Sequence, residues 1–282
     1  MPGPTAGSRR RGQPWSAGAL VLLFAAVAVG VMWWWHRPNL AQRVHAAIPK
    51  PPDLTGQPAV LAELLAKAEI GTKTSADPLA SVAELGRLYH ANGFNLEATA
   101  CWQLLCTEQP RVARWPYYLA DQKRMASDYP AMAALLEKTA ALAPDYAPAW
   151  LLLAGLQFKT GHLEIAAHDY EKRLTLLPGD PYARLWLARI ALQSGRADEA
   201  RRLIEQLVKD TPEFSSAHNL YADMLASSGD VAGADRQRWL GRETGRFREA
   251  GDPWLNELWN WCYDFDQLCA LGTLELQTGH AD

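Results

Sequence analysis

The groups in this sequence that could attack, protonate or ligate are seven histidines, four cysteines and 31 carboxylates, and their spacing sets up none of that chemistry. His162 and His168 are six residues apart with a turn glycine just before the first, so they do not share a helical face at the separation a zinc site uses. The others are His36, His45, His90, His218 and His280. No HExxH, GxSxG, GxxxxGK(S/T) or GxGxxG run occurs. Glu164 with Asp169, and Asp198 with Glu199, read as solvated helix faces rather than acid–base partners. Cys101, Cys106, Cys262 and Cys269 form no CxxC pair. On one helix Cys101 and Cys106 would point about 140° apart, so they should not bridge each other. They read as small buried apolar side chains; a longer-range bridge stays open if the domain is exported. The expectation is a non-enzyme with no catalytic, cofactor-binding or metal-binding residues and no cofactor. An active site assembled only by the fold is the weaker alternative.

Charge narrows the partners. The first fifty residues hold six Lys/Arg and no acid, whereas the remaining 232 carry 22 basic against 31 acidic residues. An acidic body lacks the clustered positive charge that displaces counterions from a nucleic acid, so no nucleic-acid partner is expected.

The basic start leads into a membrane signal. Residues 1–16 form a short tail with Arg9, Arg10 and Arg11 together. Residues 17–35 are 19 positions without a charge. As a helix they would span about 28 Å, close to the hydrocarbon thickness of a bilayer. Trp33, Trp34 and Trp35, followed by His36 and Arg37, resemble an interfacial belt. The segment reads as an uncleaved transmembrane helix rather than a signal peptide, because bulky Trp follows its core. The nearest small-residue site, Val44-His45-Ala46, lies well beyond. The arginines before the span predict a cytoplasmic N-terminus and an extracytoplasmic body, periplasmic in a Gram-negative cell. Residues 36–57, with Pro49, Pro51 and Pro52, predict an extended spacer. Val60, Leu61, Leu64, Leu65 and Ala68 predict a capping helix over 58–70, and 71–78 is turn-like.

From Leu79 the chain repeats every 34 residues. The units are 79–112, 113–146, 147–180, 181–214 and 215–248. Position 8 is Gly86, Ala120, Ala154, Ala188 and Ala222; position 15 is Gly93, Ser127, Gly161, Gly195 and Gly229. Position 20 is Ala98, Met132, Ala166, Ala200 and Ala234, and Pro110, Pro144, Pro178 and Pro212 close the first four units at position 32. Small residues at 8 and 20 let two helices approach closely, glycine at 15 supplies a left-handed turn, and the proline stops the second helix. The pattern resembles the tetratricopeptide repeat family. That resemblance implies an all-α fold, a right-handed superhelical solenoid of helix hairpins in which no unit buries its apolar face alone. Ser127 and Met132 depart from the family pattern, as does Arg173, where position 27 is usually alanine. The fifth unit lacks the closing proline, so its second helix is expected to run on toward Phe247.

The same resemblance implies a concave groove lined by positions 2, 5, 9, 12 and 13. These are Arg87 and His90; Tyr117, Asp121, Arg124 and Met125; Leu151, Phe158 and Lys159; Tyr182, Leu185, Arg189 and Gln193; Asn219 and Asp223. Arg87, Arg124, Lys159 and Arg189 would form a line of positive charge, with Tyr117, Phe158 and Tyr182 as aromatic anchors. A protein or peptide partner with acidic groups or a free terminal carboxylate would fit. The family's Lys/Asn clamp for a terminal carboxylate is missing, because Gly155 and Arg189 stand where Asn is needed. Residues 251–282 are rich in Trp. Asp252 can cap a helix with Pro253 at its first turn, and the helix is expected to pack on the last repeat. Leu271, Gly272 and Gly279 suggest half a sixth repeat from Phe265 that ends the stack. The expected function is a membrane-anchored, non-catalytic scaffold. The alternative is an accessory subunit of a membrane enzyme complex docking through the Trp-rich segment.

Overall fold

The computed structural model describes residues 32, 38–243, 250–265, 268–269 and 272–273. It divides into residues 1–43 and residues 44–282. Among the described residues there are thirteen α-helices, one 3-10 turn and no strand. No helix among them is long and apolar enough to cross a membrane. The predicted span 17–35 lies outside the described residues apart from Met32.

The spacer read as extended over 36–57 contains a helix, α1 (Leu40–Ala47). Asn39 and Gln42 account for it. Each accepts a hydrogen bond from the other's backbone N–H at 2.9 Å, a reciprocal box that satisfies two otherwise orphaned donors. Helix α2 (Ala59–Thr74) covers the first repeat with Leu61, Leu65, Ala68 and Thr72 buried. It outruns the predicted 58–70. Gly71, read as part of a turn, lies inside it, and a Cβ there would sit 2.7 Å from the Ser81 hydroxyl of the next helix. The glycine allows close helix contact rather than a chain reversal.

Five helix pairs follow: α3 (Pro78–Ala91) with α4 (Asn95–Glu108), α5 (Arg114–Met125) with α6 (Tyr129–Leu142), α7 (Ala147–Lys159) with α8 (Leu163–Leu176), α9 (Pro181–Gln193) with α10 (Ala197–Asp210), and α11 (Ser215–Ser227) with α12 (Val231–Glu243). Partners pack within each pair, and consecutive pairs pack in series, as in a solenoid. Three of these helices, α3, α6 and α9, start at a side-chain cap: Asp77, Asp128 and Asp180 accept from the N–H three residues on, with proline in the first turn. Gly93, Gly161, Gly195 and Gly229 all have positive φ, and Ser127 takes the same left-handed conformation at φ 56°. At positions 8 and 20, Ala98, Ala154, Ala166, Ala188, Ala200, Ala222 and Ala234 are fully buried, with Trp102, Leu136, Tyr170 and Ile204 filling position 24. Met132 is buried in the same place as its alanine counterparts.

Arg173 departs from the family's alanine for a visible reason. It is buried, donates from Nη1 to the Ala147 carbonyl at 3.0 Å and from Nη2 to Asp180 at 2.6 Å. Asp180 also caps α9 through the Ala183 N–H at 2.7 Å. One guanidinium therefore ties the start of the third repeat to the start of the fourth.

After Glu243 the next described elements are α13 (Pro253–Leu258) and a 3-10 turn, Trp259–Trp261. Asp252 caps α13 through the Leu255 N–H, with Pro253 in the first turn. The helix does not sit on the last repeat. It and the 3-10 turn pack on α3 of the first repeat. Its acids Asp252 and Glu257 meet Tyr117 and Arg114 on α5. The extension toward Phe247 lies outside the described residues, as does most of the half repeat expected from Phe265.

Candidate functional site

The groove positions of the first two repeats and the chain's own residues 252–264 form one site. Its centre is Asp252. Its carboxylate accepts from the Tyr117 hydroxyl on α5, and from the Tyr146 hydroxyl at 2.6 Å where the second repeat meets the third. The Tyr146 oxygen in turn accepts the Trp254 N–H at 2.9 Å. The Trp254 ring stacks on Tyr146 at 3.6 Å between centroids and meets the Tyr117 ring edge-on at 5.4 Å. Tyr118 donates to the Trp254 carbonyl at 2.9 Å.

One helical turn later, Glu257 accepts from Arg114 Nη1 at 2.7 Å, and Arg87 Nε stands 3.7 Å from its other oxygen. The two guanidinium groups also lie over aromatic faces, Arg114 over Trp254 at 5.5 Å and Arg87 over Trp261 at 5.7 Å. Asn92, just after α3, reads the backbone at the far end. Its amide nitrogen donates to the Trp261 carbonyl at 2.8 Å, and its amide oxygen accepts from the N–H groups of Tyr263 and Asp264 at 2.6 and 3.1 Å. The segment thus runs from the edge of the third repeat back to the first, against the order of the repeats. Leu258 and Cys262 are the residues of this stretch that become buried.

Burial raises the hydroxyl pKa of all three tyrosines, and the acidic groups beside them add to it. Tyr117 and Tyr146 are pushed above the ordinary range by desolvation and by Asp252, and Tyr118 is pushed up to about 12 by desolvation and Glu257. The hydroxyls therefore stay protonated donors. Beneath them Asp121 is 8% exposed, and burial alone would raise its pKa. His90 Nε2 at 3.0 Å and Arg124 at 2.8 Å outweigh that and hold its carboxyl below the usual range.

The predicted groove residues separate into two groups. Arg87 and Tyr117 face the chain's own segment, and Arg124 is paired with Asp121. Phe158 and Arg189 both meet Trp186, edge-on at 4.9 Å and over its face at 4.6 Å. Tyr182 packs edge-on against Phe214 at 5.2 Å, and Lys159 is exposed. The expected line of positive charge is therefore interrupted: Glu257 and Asp121 balance its N-terminal half, and Lys159 and Arg189 remain on the other. Sequence reasoning missed Asn92, Arg114, Tyr118 and Tyr146. Arg114 occupies groove position 2 and could have been found there; the others lie outside the groove positions.

No group of three His, Cys, Asp or Glu able to hold a metal occurs among the described residues. A shallow cavity of about 250 Å³ lies between α8 and α9, with Glu164, His168 and Glu171 on one wall. His162 and His168 do not converge: His162 meets the Thr160 hydroxyl at 2.9 Å instead. All four cysteines are free, and burial raises the thiols of Cys101 and Cys106 to about 12 and about 11.

Residues 166–224 match the tetratricopeptide repeat family. The chain is 25% identical over 193 residues to the cellulose synthase 1 operon protein C of Komagataeibacter xylinus, covering 62% of this chain and 14% of that protein. It is 32% identical over 139 residues to the cellulose synthase operon protein C of Xanthomonas axonopodis pv. citri (strain 306), covering 48% and 9%. The chain therefore spans only a small part of the length of these relatives. Among solved structures it is similar to a tetratricopeptide repeat protein from Parabacteroides merdae ATCC 43184, with a TM-score of 0.57, 17% identity and coverage of 83% and 86%. It is also similar to YrrB, described as a TPR protein with an unusual peptide-binding site, with a TM-score of 0.52, 16% identity and coverage of 65% and 93%. At these identities the structures establish the fold, which is that of a tetratricopeptide repeat solenoid.

Proposed function

We propose that this protein is a membrane-anchored interaction scaffold that holds a protein or peptide partner in the groove of its repeats and performs no reaction on it. The observation that carries this reading is that groove positions of this chain already hold a polypeptide. Arg87, Arg114 and Tyr117 read side chains of residues 252–261, and Asn92 and Tyr118 read its backbone. That is the division of labour of a peptide-recognition groove. The rest of the groove, with Lys159 and Arg189 beside Phe158 and Tyr182, is the surface offered to the partner. Its charge suits acidic groups or a terminal carboxylate. Residues 17–35 anchor the scaffold, with the N-terminus in the cytoplasm and the repeats on the extracytoplasmic side. The peptide-binding site named for YrrB and the operon named for the relatives are consistent with a scaffold serving an envelope assembly.

Photo-crosslinking tests it. A photoreactive residue at position 159 or 189 in intact cells should form an adduct that the same residue at Lys172, exposed on a second helix, does not. The protein should also stay with membranes through an alkaline wash and leave them when residues 17–35 are removed. Equal adducts at 159 and 172, or release by the wash, would refute the groove and the anchor respectively. A second reading, docking to a membrane enzyme complex through the Trp-rich segment, draws on Trp259 and Phe265, which are 38% and 75% exposed. Replacing both by alanine should abolish complex association under that reading and leave it intact under the first.

A further inference from the structure

Residues 252–263 return across the repeats to a surface that the fold did not oblige them to cover. The end of a repeat stack needs a cap, and α12 is the last repeat helix among the described residues, yet this segment lies on α3 and, through Tyr117 and Tyr118, on α5. Leu258 and Cys262 are its buried anchors, but they are not what fixes its N-terminal half. Trp254, Leu255 and Glu257 are only half-buried, and what holds them is side-chain readout at fixed spacing. An acid at Asp252 meets two tyrosine hydroxyls, a flat aromatic two residues on stacks on Tyr146, and an acid five residues on meets two arginines. The fit is also incomplete. Arg87 Nε is buried without a hydrogen bond, because the Glu257 oxygen it pairs with lies 3.7 Å away, beyond hydrogen-bond distance. A carboxylate with slightly different reach would close that gap, and a buried donor left unmade is costly.

We infer that the α3–α5 face is a recognition site for an acidic, tryptophan-bearing segment of the pattern Asp-x-Trp-x-x-Glu, that residues 252–257 fill it in cis, and that a partner protein presenting the same pattern displaces them. This rests on the groove reading above and gives it a ligand class and a threshold. A tethered occupant competes at an effective concentration of about a millimolar, so the cis segment lowers the affinity for a free ligand by about tenfold or more. The site opens only to a partner that binds better than the chain's own segment or is held beside it.

The test uses the full chain and a fluorescein-labelled peptide copying residues 251–264, read by anisotropy. In one variant the cis segment is disabled by D252A, W254A and E257A together. This chain should bind the peptide at least tenfold more tightly than the unaltered protein. Adding R114E should remove that binding, and a peptide carrying Glu257→Lys should restore it to the R114E chain. A folding defect cannot produce that charge-swapped rescue. Equal binding by the disabled and unaltered chains, or failure of the rescue, overturns the proposal. A disabled chain that loses its helical content overturns it too, because the segment would then be part of the core. If the unaltered protein is a dimer that the disabled variant is not, the occupant is a second copy and the partner assignment falls. These outcomes are independent of the crosslinks at positions 159 and 189, which test the groove reading itself.

Discussion

Ser127→Gly should stabilise this protein, and the structure supplies the magnitude. The five turns between paired helices are the same turn five times. Four carry glycine at φ between 75° and 87°, and the second repeat carries Ser127 at φ 56°. A residue with a Cβ held in the left-handed region costs about 1–2 kcal/mol. Glycine offsets part of the gain through its freer unfolded chain, by about 0.5–1 kcal/mol. The backbone bonds of the turn, Ser127 N–H to the Arg124 carbonyl at 3.0 Å and Asp128 N–H to the Lys123 carbonyl at 2.9 Å, are available to either residue. The net gain should be about 0.5–1 kcal/mol, which for a chain of this size is a rise in Tm of about 1–4 °C. Urea unfolding followed by circular dichroism should show a higher midpoint with an unchanged slope, and Ser127→Val should lower the midpoint. A glycine variant no more stable than the parent, with equal helix content, would refute the claim that a shared left-handed turn sets the register of the second repeat.

Three further outcomes follow from the packing and the charges. Gly86→Ala should destabilise the first repeat by about 1–3 kcal/mol, because the new Cβ would stand 2.8 Å from the Trp102 ring; unfolding at an unchanged midpoint would contradict it. Asp180→Ala should cost about 3–5 kcal/mol by leaving Arg173 buried without its partner, and a loss under 1 kcal/mol in denaturant melts would argue that the pair is not dry. Docking of the C-terminal segment should weaken at alkaline pH. Tyr117, Tyr118 and Tyr146 have raised pKa values when docked, so their contribution is complete below about pH 10 and is lost as the pH climbs through the elevated values. Trp fluorescence should report release from about pH 10 upward, and a signal flat to about pH 12 would count against it.

The repeat register was legible because it is local. Positions 8, 15 and 20 each answer to one steric demand that recurs every 34 residues, and Ala98, Ala166, Ala200 and Ala234 meet it fully buried. The cap by Asp252 with Pro253 in the first turn was legible for the same reason. What escaped was what depends on distance in the chain. Nothing near Asp252 announces that Tyr117 and Tyr146 will meet it, more than a hundred residues earlier. Arg173 stood out as an odd residue at position 27, but its partner Asp180, the last residue of the same unit, reads in the sequence only as the cap of the helix that follows. The helix at Leu40–Ala47 was readable from Asn39 and Gln42, and the neighbouring prolines pulled the reading toward an extended spacer. Gly71 shows the opposite error, a glycine taken for a turn that instead serves a close helix contact.

The most direct check on the account is the distance between Arg111, exposed just before α5, and Asn256, exposed on α13. Spin labels at both positions, in a chain with Cys106 and Cys269 changed to Ser, would be read by pulsed dipolar spectroscopy. A segment seated on the α3–α5 face predicts one narrow distance distribution that broadens when Asp252 and Trp254 are replaced by Ala. A distribution already broad in the parent, or one unmoved by those replacements, would contradict the occupied groove on which the functional reading stands.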